Sequence, residues 1–468
     1  MQSSTPTGPS TSARGGSTRA WIWYVLMLAG AALVFAWIEA SGAGLVAPAP
    51  AAPHAREGTA AGGASGSLLH VLLALAVILV LSRLAGAVFR RLRQPPVIGE
   101  VLVGIALGPS LFGALAPAAQ AYLFPPALAP FLGVIAQIGV ILFMFTIGLE
   151  LDPRYLKSRT HVTVVIAHAS MVLPFLLGAA LALWLYPRFS SSDVPFSAFT
   201  LFLGVSLSVT AFPVLARILA DRGMQRSPLG VLALTCAAVG DVSAWCLLAF
   251  VVSVVRSEVG GGLWTFGLVA AYVALMLLAV RPLVKHLVAR HDERGLTQGA
   301  LSLVALGLLV SALATEWIGV HALFGAFLFG ALFPHDSRIA QELVRHVESL
   351  VLALFLPAFF VFTGLHTRID LVAGRAGWLA CGVIVLVASL GKIGGTFAAA
   401  RASGFGAREA GSLGVLMNTR GLVELVVLNV GLELGVLSPT LYAMLVVMAI
   451  VTTLATAPLL ELVRGGRG

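Results

Sequence analysis

Charge is scarce in this sequence. Asp, Glu, Lys and Arg make up 10% of its 468 residues, against roughly 25% in a soluble domain. Such a chain has too few polar groups to cover a water-facing surface. The short alternating strands of a transmembrane barrel are missing. No Walker-type phosphate loop is present, which argues against ATP-driven pumping. The three cysteines, Cys236, Cys246 and Cys381, lie in apolar runs without ligand spacing. They read as small packing residues and report no redox compartment. No nucleophile–base pair or metal cluster stands out, and no two histidines share a zinc-like spacing within an apolar run. The expectation is a protein that is not an enzyme and needs no cofactor.

What the chain has in abundance is apolar sequence: 59% hydrophobic residues and a mean hydropathy of +0.99. It comes in runs of about 20 residues, the length that crosses a bilayer. Lipid offers amides no hydrogen-bond partner, so these runs must be helices. They fall at roughly 68–88, 95–113, 129–149, 160–186, 197–220, 228–254, 264–282, 297–316, 318–334, 350–366, 372–399, 409–432 and 437–463. This predicts an all-α polytopic membrane protein of about thirteen core helices. Residues 1–66 stand apart: a Ser/Thr/Gly/Pro-rich tail over 1–19, a run over 21–38 that reads as an extra membrane helix rather than a signal segment, and an Ala/Pro/Gly-rich linker. The membrane domain occupies 67–464, and no cytosolic regulatory domain is expected after it.

The net charge of +9 does not point to nucleic acid, because the Lys and Arg residues are scattered in short loops. With residue 68 outside, Arg90, Arg91, Arg93, Arg154, Lys157, Arg222 and Arg226 fall inside. The basic loop 281–294, Arg338, Arg345, Arg401, Arg408, Arg464 and Arg467 fall there too. Only Arg188, Arg256, Arg368 and Arg375 fall outside. The bias places both termini in the cytoplasm of a cell expected to be prokaryotic.

Two runs contain internal breaks. One is Ser206-Leu-Ser-Val-Thr-Ala-Phe-Pro213 and the other Met417-Asn-Thr-Arg-Gly421. Pro213 removes a backbone donor, and Gly421 loosens a helix by its permissiveness. Counted from 95 and from 318, each break falls in the fourth of five runs, and the two sets run in opposite directions. That is the pattern of inverted repeats with two broken helices crossing at mid-membrane.

Ionisable residues inside such runs are costly and so are functional candidates. Asp241 lies at the centre of Thr235-Cys-Ala-Ala-Val-Gly-Asp-Val-Ser-Ala-Trp245. A buried carboxylate becomes tolerable by taking a proton or by holding a cation, and alternating between the two couples their movements. Lys392, in Ser389-Leu-Gly-Lys-Ile-Gly-Gly395, either partners Asp241 or snorkels to the interface. Arg420 and Glu424 are four apart at the second break, a spacing that suits an ion pair. Thr210, Asn418 and Thr419 bring oxygens to the breaks, which suit Na+ or K+. Glu100, Gln137, His168, Glu316 and His321 are weaker candidates, the histidines reading first as locally hydrogen-bonded.

These stretches resemble the monovalent cation:proton antiporter superfamily, in the branch of bacterial Kef-type systems and plant cation/H+ exchangers. The resemblance rests on Gly99-Glu-Val-Leu-Val-Gly-Ile-Ala-Leu-Gly-Pro-Ser110, Phe145-Thr-Ile-Gly-Leu-Glu-Leu-Asp152 and Ser208-Val-Thr-Ala-Phe-Pro-Val-Leu-Ala-Arg217. It also rests on Ala237-Ala-Val-Gly-Asp-Val-Ser-Ala-Trp245, His321-Ala-Leu-Phe-Gly-Ala-Phe-Leu-Phe-Gly330 and Met417-Asn-Thr-Arg-Gly-Leu-Val-Glu-Leu425. It implies a homodimer in which each copy pairs a static domain with a moving core. It implies Asp241 as the residue that binds cation or proton, with Lys392 as its basic partner. Gly240 is a departure, because the family often places Asp, Asn or Gln there. A single carboxylate implies electroneutral exchange of one cation for one proton. Gly240, Pro213 and Gly421 are taken as helix breaks. A passive cation channel and a non-transporting sensor are the competing functions.

Overall fold

A computed structural model describes residues 12–49, 64–92, 94–150, 160–224, 227–256, 262–292, 295–319, 321–334 and 336–465. The apolar runs are helices, as amides without water require. In order these are α1 (Ser12–Gly42), α2 (Ala64–Arg91), α3 (Pro96–Leu107), the short α4 (Phe112–Leu115) and α5 (Pro117–Leu123), α6 (Ala129–Glu150) and α7 (Thr160–Phe189). Next come α8 (Phe196–Ser208), α9 (Phe212–Asp221), α10 (Pro228–Arg256), α11 (Gly262–Leu275), α12 (Arg281–His291), α13 (Gln298–Ile318) and α14 (Ala322–Ala331). The chain ends with α15 (Arg338–Leu350), α16 (Leu356–His366), α17 (Gly374–Ala402), α18 (Ala407–Met417), α19 (Leu422–Glu433) and α20 (Pro439–Arg464). Among the described residues there is no strand, and eleven helices are long and apolar enough to cross a membrane.

Local chemistry sets the ends. Thr297, Ser337 and Ser438 accept amide hydrogen bonds at the starts of α13, α15 and α20, and Gly319, at φ 95°, ends α13. Two expectations shift here. The stretch 281–294, expected as a loop, is largely helix: a single π turn, Met276–Val280, joins α11 to α12, so Arg281, Lys285, His286 and Arg290 ride on a helix end, Arg294 lying outside the described residues. A second π turn, Val351–Phe355, joins the amphipathic α15 to α16, so that run starts earlier than its apolar residues suggest. The N-terminal helix likewise begins at Ser12, inside the stretch expected as a tail. Gly and Ser cost a helix about 1 kcal/mol or less each, too little to end one that the following apolar run sustains. Residues 1–11, most of the expected linker (50–63), Arg93, Arg154, Lys157, Arg226 and Arg467 lie outside the described residues.

The helices pack as two groups. One holds α7, α8, α9, α10, α17, α18, α19 and α20, with α1 lying along α7. The other holds α2, α3, α6, α13, α14, α15 and α16. They are called core and scaffold below. The expected repeats are visible in this order. The helices α3, α6, α7, α8–α9 and α10 match α14, α15–α16, α17, α18–α19 and α20, and the fourth member of each set is broken.

Within the scaffold, glycines let backbones touch. A Cβ on Gly104 of α3 would stand 2.7 Å from the Val361 backbone, and one on Gly364 of α16 would stand 2.5 Å from Gly104. Gly104→Ala should therefore cost about 1–3 kcal/mol through overpacking. Gly30→Ala, whose Cβ meets nothing within 4 Å, should hold or slightly raise the thermal midpoint in detergent, because alanine is the better helix former.

Candidate functional site

The two broken helices meet in the core. The first is interrupted at residues 209–211, between α8 and α9, and the second at 418–421, between α18 and α19. Pro213 stands in the first turn of α9, where a missing N–H costs nothing. Gly421 is extended and precedes α19. A Cβ there would come within 2.6 Å of the Val214 side chain, so the close crossing requires glycine. The breaks bond to each other: the Ala211 amide donates to the Thr419 carbonyl at 3.0 Å, and the Thr210 hydroxyl donates to the Met417 carbonyl at 3.1 Å. Gly240 is not a break. It lies inside the unbroken α10, where the amide ladder holds a single glycine against its weak propensity.

Each break exposes helix ends inside an apolar core, and charged side chains meet them. The carbonyls that end α8 face cations. Arg420 donates to Ser206 O at 3.0 Å and to Leu207 O at 2.6 Å, while the Lys392 ammonium donates to Ser208 O. The amide ends of α9 and α19 face acids. Glu424 occupies the first turn of α19, and the carboxylate of Asp241 lies under the influence of the Phe212 amide and of Lys392. Cations at helix C-termini and anions at N-termini are the favourable arrangement.

Burial is complete at this crossing. Lys392, Arg420, Glu424 and Thr419 are 0% exposed, Asn418 1%, Thr210 2% and Asp241 3%. Lys392 therefore does not snorkel. Nor does it form a direct ion pair with Asp241, because its ammonium is turned to Ser208. Arg420 and Glu424 do pair, at 2.8 Å, and the backbone of Arg420 is clasped by Thr453, which accepts from its amide at 2.9 Å and donates to its carbonyl at 2.8 Å. Asp241 differs from all of these. The Phe212 amide approaches this carboxylate without completing a well-formed hydrogen bond, so neither of its oxygens is satisfied, and neither is the side-chain oxygen of Asn418. Such oxygens are the chemistry that a desolvated monovalent cation, or a proton, would satisfy.

The weaker candidates scatter. His168 is satisfied locally, by Val164 O at 2.9 Å and Ser243 Oγ at 3.1 Å. Glu100 lies on α3 of the scaffold. Gln137, Glu316 and His321 lie together at the far end of α19, where Gln137 donates to Glu433 at 3.3 Å and Glu316 accepts from the Ala322 amide at 2.9 Å. Glu433 was not anticipated.

The model of the family described as sodium/hydrogen exchanger, transmembrane, matches residues 74–462. The chain belongs to this family. Among exchanger relatives, the Na(+)/H(+) antiporter NhaS4 of Synechocystis is 43% identical over 398 residues, spanning 84% of this chain and 97% of that protein. Cation/H(+) antiporter 20 of Arabidopsis thaliana is 39% identical over 82% of this chain, and K(+)/H(+) antiporter 1 of Saccharomyces cerevisiae is 33% identical over 85%. This chain spans about half the length of those two, 47% of each. The fold is that of the sodium proton antiporter MjNhaP1 of Methanocaldococcus jannaschii, with a TM-score of 0.62 at 18% identity, covering 86% of this chain and 98% of that one.

Arg420→Ala would leave Glu424 charged and unpaired and three contacts unmade. It should lower stability by about 3–5 kcal/mol. Glu424→Gln keeps an acceptor for Arg420 and should cost clearly less. Thermal unfolding of both variants in the same detergent checks the order.

Proposed function

We propose that this chain exchanges one monovalent cation, Na+ or K+, for one proton by alternating access, with Asp241 as the residue that holds either. The observation that carries the reading is the buried carboxylate of Asp241 beside the crossing, with both oxygens unpartnered. An ionised carboxylate in that position is expensive until it is neutralised. A proton neutralises it, and so does a desolvated cation, but not both at once. Thr210, Asn418 and Thr419 surround the crossing with oxygens that suit the cation, Asn418 with an oxygen still unpartnered. The hydroxyls of Thr210 and Thr419 already donate, to Met417 O and Leu416 O, so they offer an ion only lone pairs.

Charge counting supports an electroneutral cycle. Arg420 and Glu424 cancel in their own pair, and Lys392 keeps its carbonyl partner in either loaded state. Asp241 with H+ and Asp241 with M+ then carry the same charge. A second carboxylate at 240 would change that count, and this chain has glycine there.

In this reading the basic ends of α2, α12 and α15 face the cytoplasm of a prokaryotic cell, together with both termini, by the positive-inside bias. Two copies pair through the scaffold, whose α13 carries the exposed apolar stripe Leu303, Leu306, Leu309, Val310 and Leu313.

In proteoliposomes an imposed proton gradient should drive Na+ or K+ uphill, and Asp241→Asn should reduce that flux to the level of empty liposomes. Movement only down the cation's own gradient would instead favour a channel. Running Na+, K+ and Li+ side by side identifies the ion.

Exchange should also be insensitive to a clamped membrane potential. A Cβ on Gly240 would meet only Met171 Sδ, at 3.8 Å, so Gly240→Asp fits at that atom. If that variant exchanges, its rate should become voltage-dependent.

A further inference from the structure

A second set of polar side chains bridges core and scaffold, away from the crossing. Glu433 closes α19, about 18 Å beyond Gly421 at ~1.5 Å per residue. Its Oε1 accepts from Gln137 of α6 at 3.3 Å, and its Oε2 lies 3.8 Å from His321 Nε2 at the head of α14. One turn deeper, Asn429 donates to Thr363 of α16 at 2.8 Å and accepts from the Tyr442 hydroxyl at 3.0 Å. The end of α19 is thus tied to three scaffold helices.

His321 is unusual in three respects. Its φ is 102°, and it is the one non-glycine residue with positive φ among those described. Bulky residues occupy that region only where the surroundings hold them. Its Nδ1 is buried without a partner. It is also a shared wall of two cavities. One is lined by Gln137, Val140, Phe359, Val430 and Glu433, and the other by Trp245, Leu248, Val252 and Phe324. Trp245 is one turn along α10 from Asp241. The imidazole therefore stands between the half-exposed carboxylate of Glu433 and a cavity walled by Trp245 of the helix that carries Asp241.

We propose that His321, Glu433 and Gln137 form a proton-operated latch that holds the core against the scaffold at this end of the transport path. A proton on His321 turns its contact with Glu433 into an ion pair across the two groups. Without that proton, Gln137 alone holds the carboxylate and the latch weakens. The other charged groups nearby do not replace His321. His366, at the end of α16, acts on Glu433 only through space. Glu316, beside α14, is engaged by the Ala322 amide. Arg368 and Asp370 pair with each other at 2.6 Å. Because protonation favours the latched arrangement, it shifts the equilibrium between the two accesses by its differential affinity for them.

This inference rests on the antiport reading, and its test separates the two. Cation exchange is measured in proteoliposomes at saturating cation, so that proton competition at Asp241 is suppressed, with pH set independently on each face. Wild type should slow on acidification of one face only. The expected size is roughly two- to fivefold, that of an ion pair partly open to water. Glu433→Gln should abolish that one-sided slowing while keeping the alkaline rate. His321→Gly, which accepts the backbone angle, should do the same, and Glu433→Gln decides the matter if the glycine variant does not fold. A Glu433→Gln protein that keeps the one-sided slowing, or a wild type that exchanges without it, overturns the latch. A wild type without exchange, or an Asp241→Asn protein that exchanges normally, overturns the antiport reading instead.

Discussion

Two helices broken inside an apolar core set the terms for everything else in this protein. A break frees carbonyls at one helix end and amides at the next, and the membrane interior has no water to satisfy them. The structure answers with side chains. The carbonyls that end α8 take hydrogen bonds from Arg420 and Lys392. The two breaks bond to each other through Ala211 and Thr210. Thr453 closes both backbone groups of Arg420. Three of the four buried charges are thereby committed to holding the crossing together. Each of the three has a partner that is itself protein, so none is free to change occupant without loosening the fold.

Asp241 is the exception, and its freedom follows from that same arrangement. Had Lys392 reached it directly, the pair would be a stable internal salt, and a cation would have to displace an ammonium. With Lys392 drawn to Ser208, the carboxylate stays near a positive charge without being neutralised by it. On the reading proposed above, a proton or a small cation then competes for it. A site that exchanges its contents needs a group whose interactions with the protein alone are incomplete, and Asp241 has that property here.

The fold was largely legible in the sequence, because lipid removes most alternatives: a long apolar run without water can only be a helix. Asp241, Lys392, Arg420 and Glu424 were visible for the same reason, each being a charge where charge is expensive. The i,i+4 spacing announced the Arg420–Glu424 pair. What the sequence concealed were contacts made by backbone. The acceptors Ser206 O, Leu207 O and Ser208 O carry no side-chain signature, so the sequence offers Lys392 either Asp241 or the interface and not a helix end. Thr453 lies 33 residues from Arg420, a separation across which no sequence pattern pairs the two. Gly240 misled for the opposite reason. A lone glycine looks like a break, yet the intact amide ladder of α10 outweighs it. Glu433 carries no sequence signal of its own, because its partners Gln137 and His321 come from distant stretches of the chain.

The contrast between contacts within and between the helix groups bears on motion. Inside the scaffold, Gly104 and Gly364 bring backbones so close that not even a methyl group fits, and Gly148 and Gly330 do the same between α6 and α14. Contacts of that kind cannot slide without being lost, which makes the scaffold a rigid body. The polar ties from α19 and α20 to the scaffold are of another kind: a 3.8 Å charge contact, a 3.3 Å amide bond and single hydrogen bonds from Asn429 of α19 and Tyr442 of α20 to Thr363. Each is a modest interaction that can break and re-form. The crossing lies wholly in the core, so the buried charges can travel as one unit with their partners. On the proposed reading, alternating access loosens these weaker ties and the apolar contacts between the two groups, while the hydrogen bonds that keep the broken helices tolerable in lipid stay within the core.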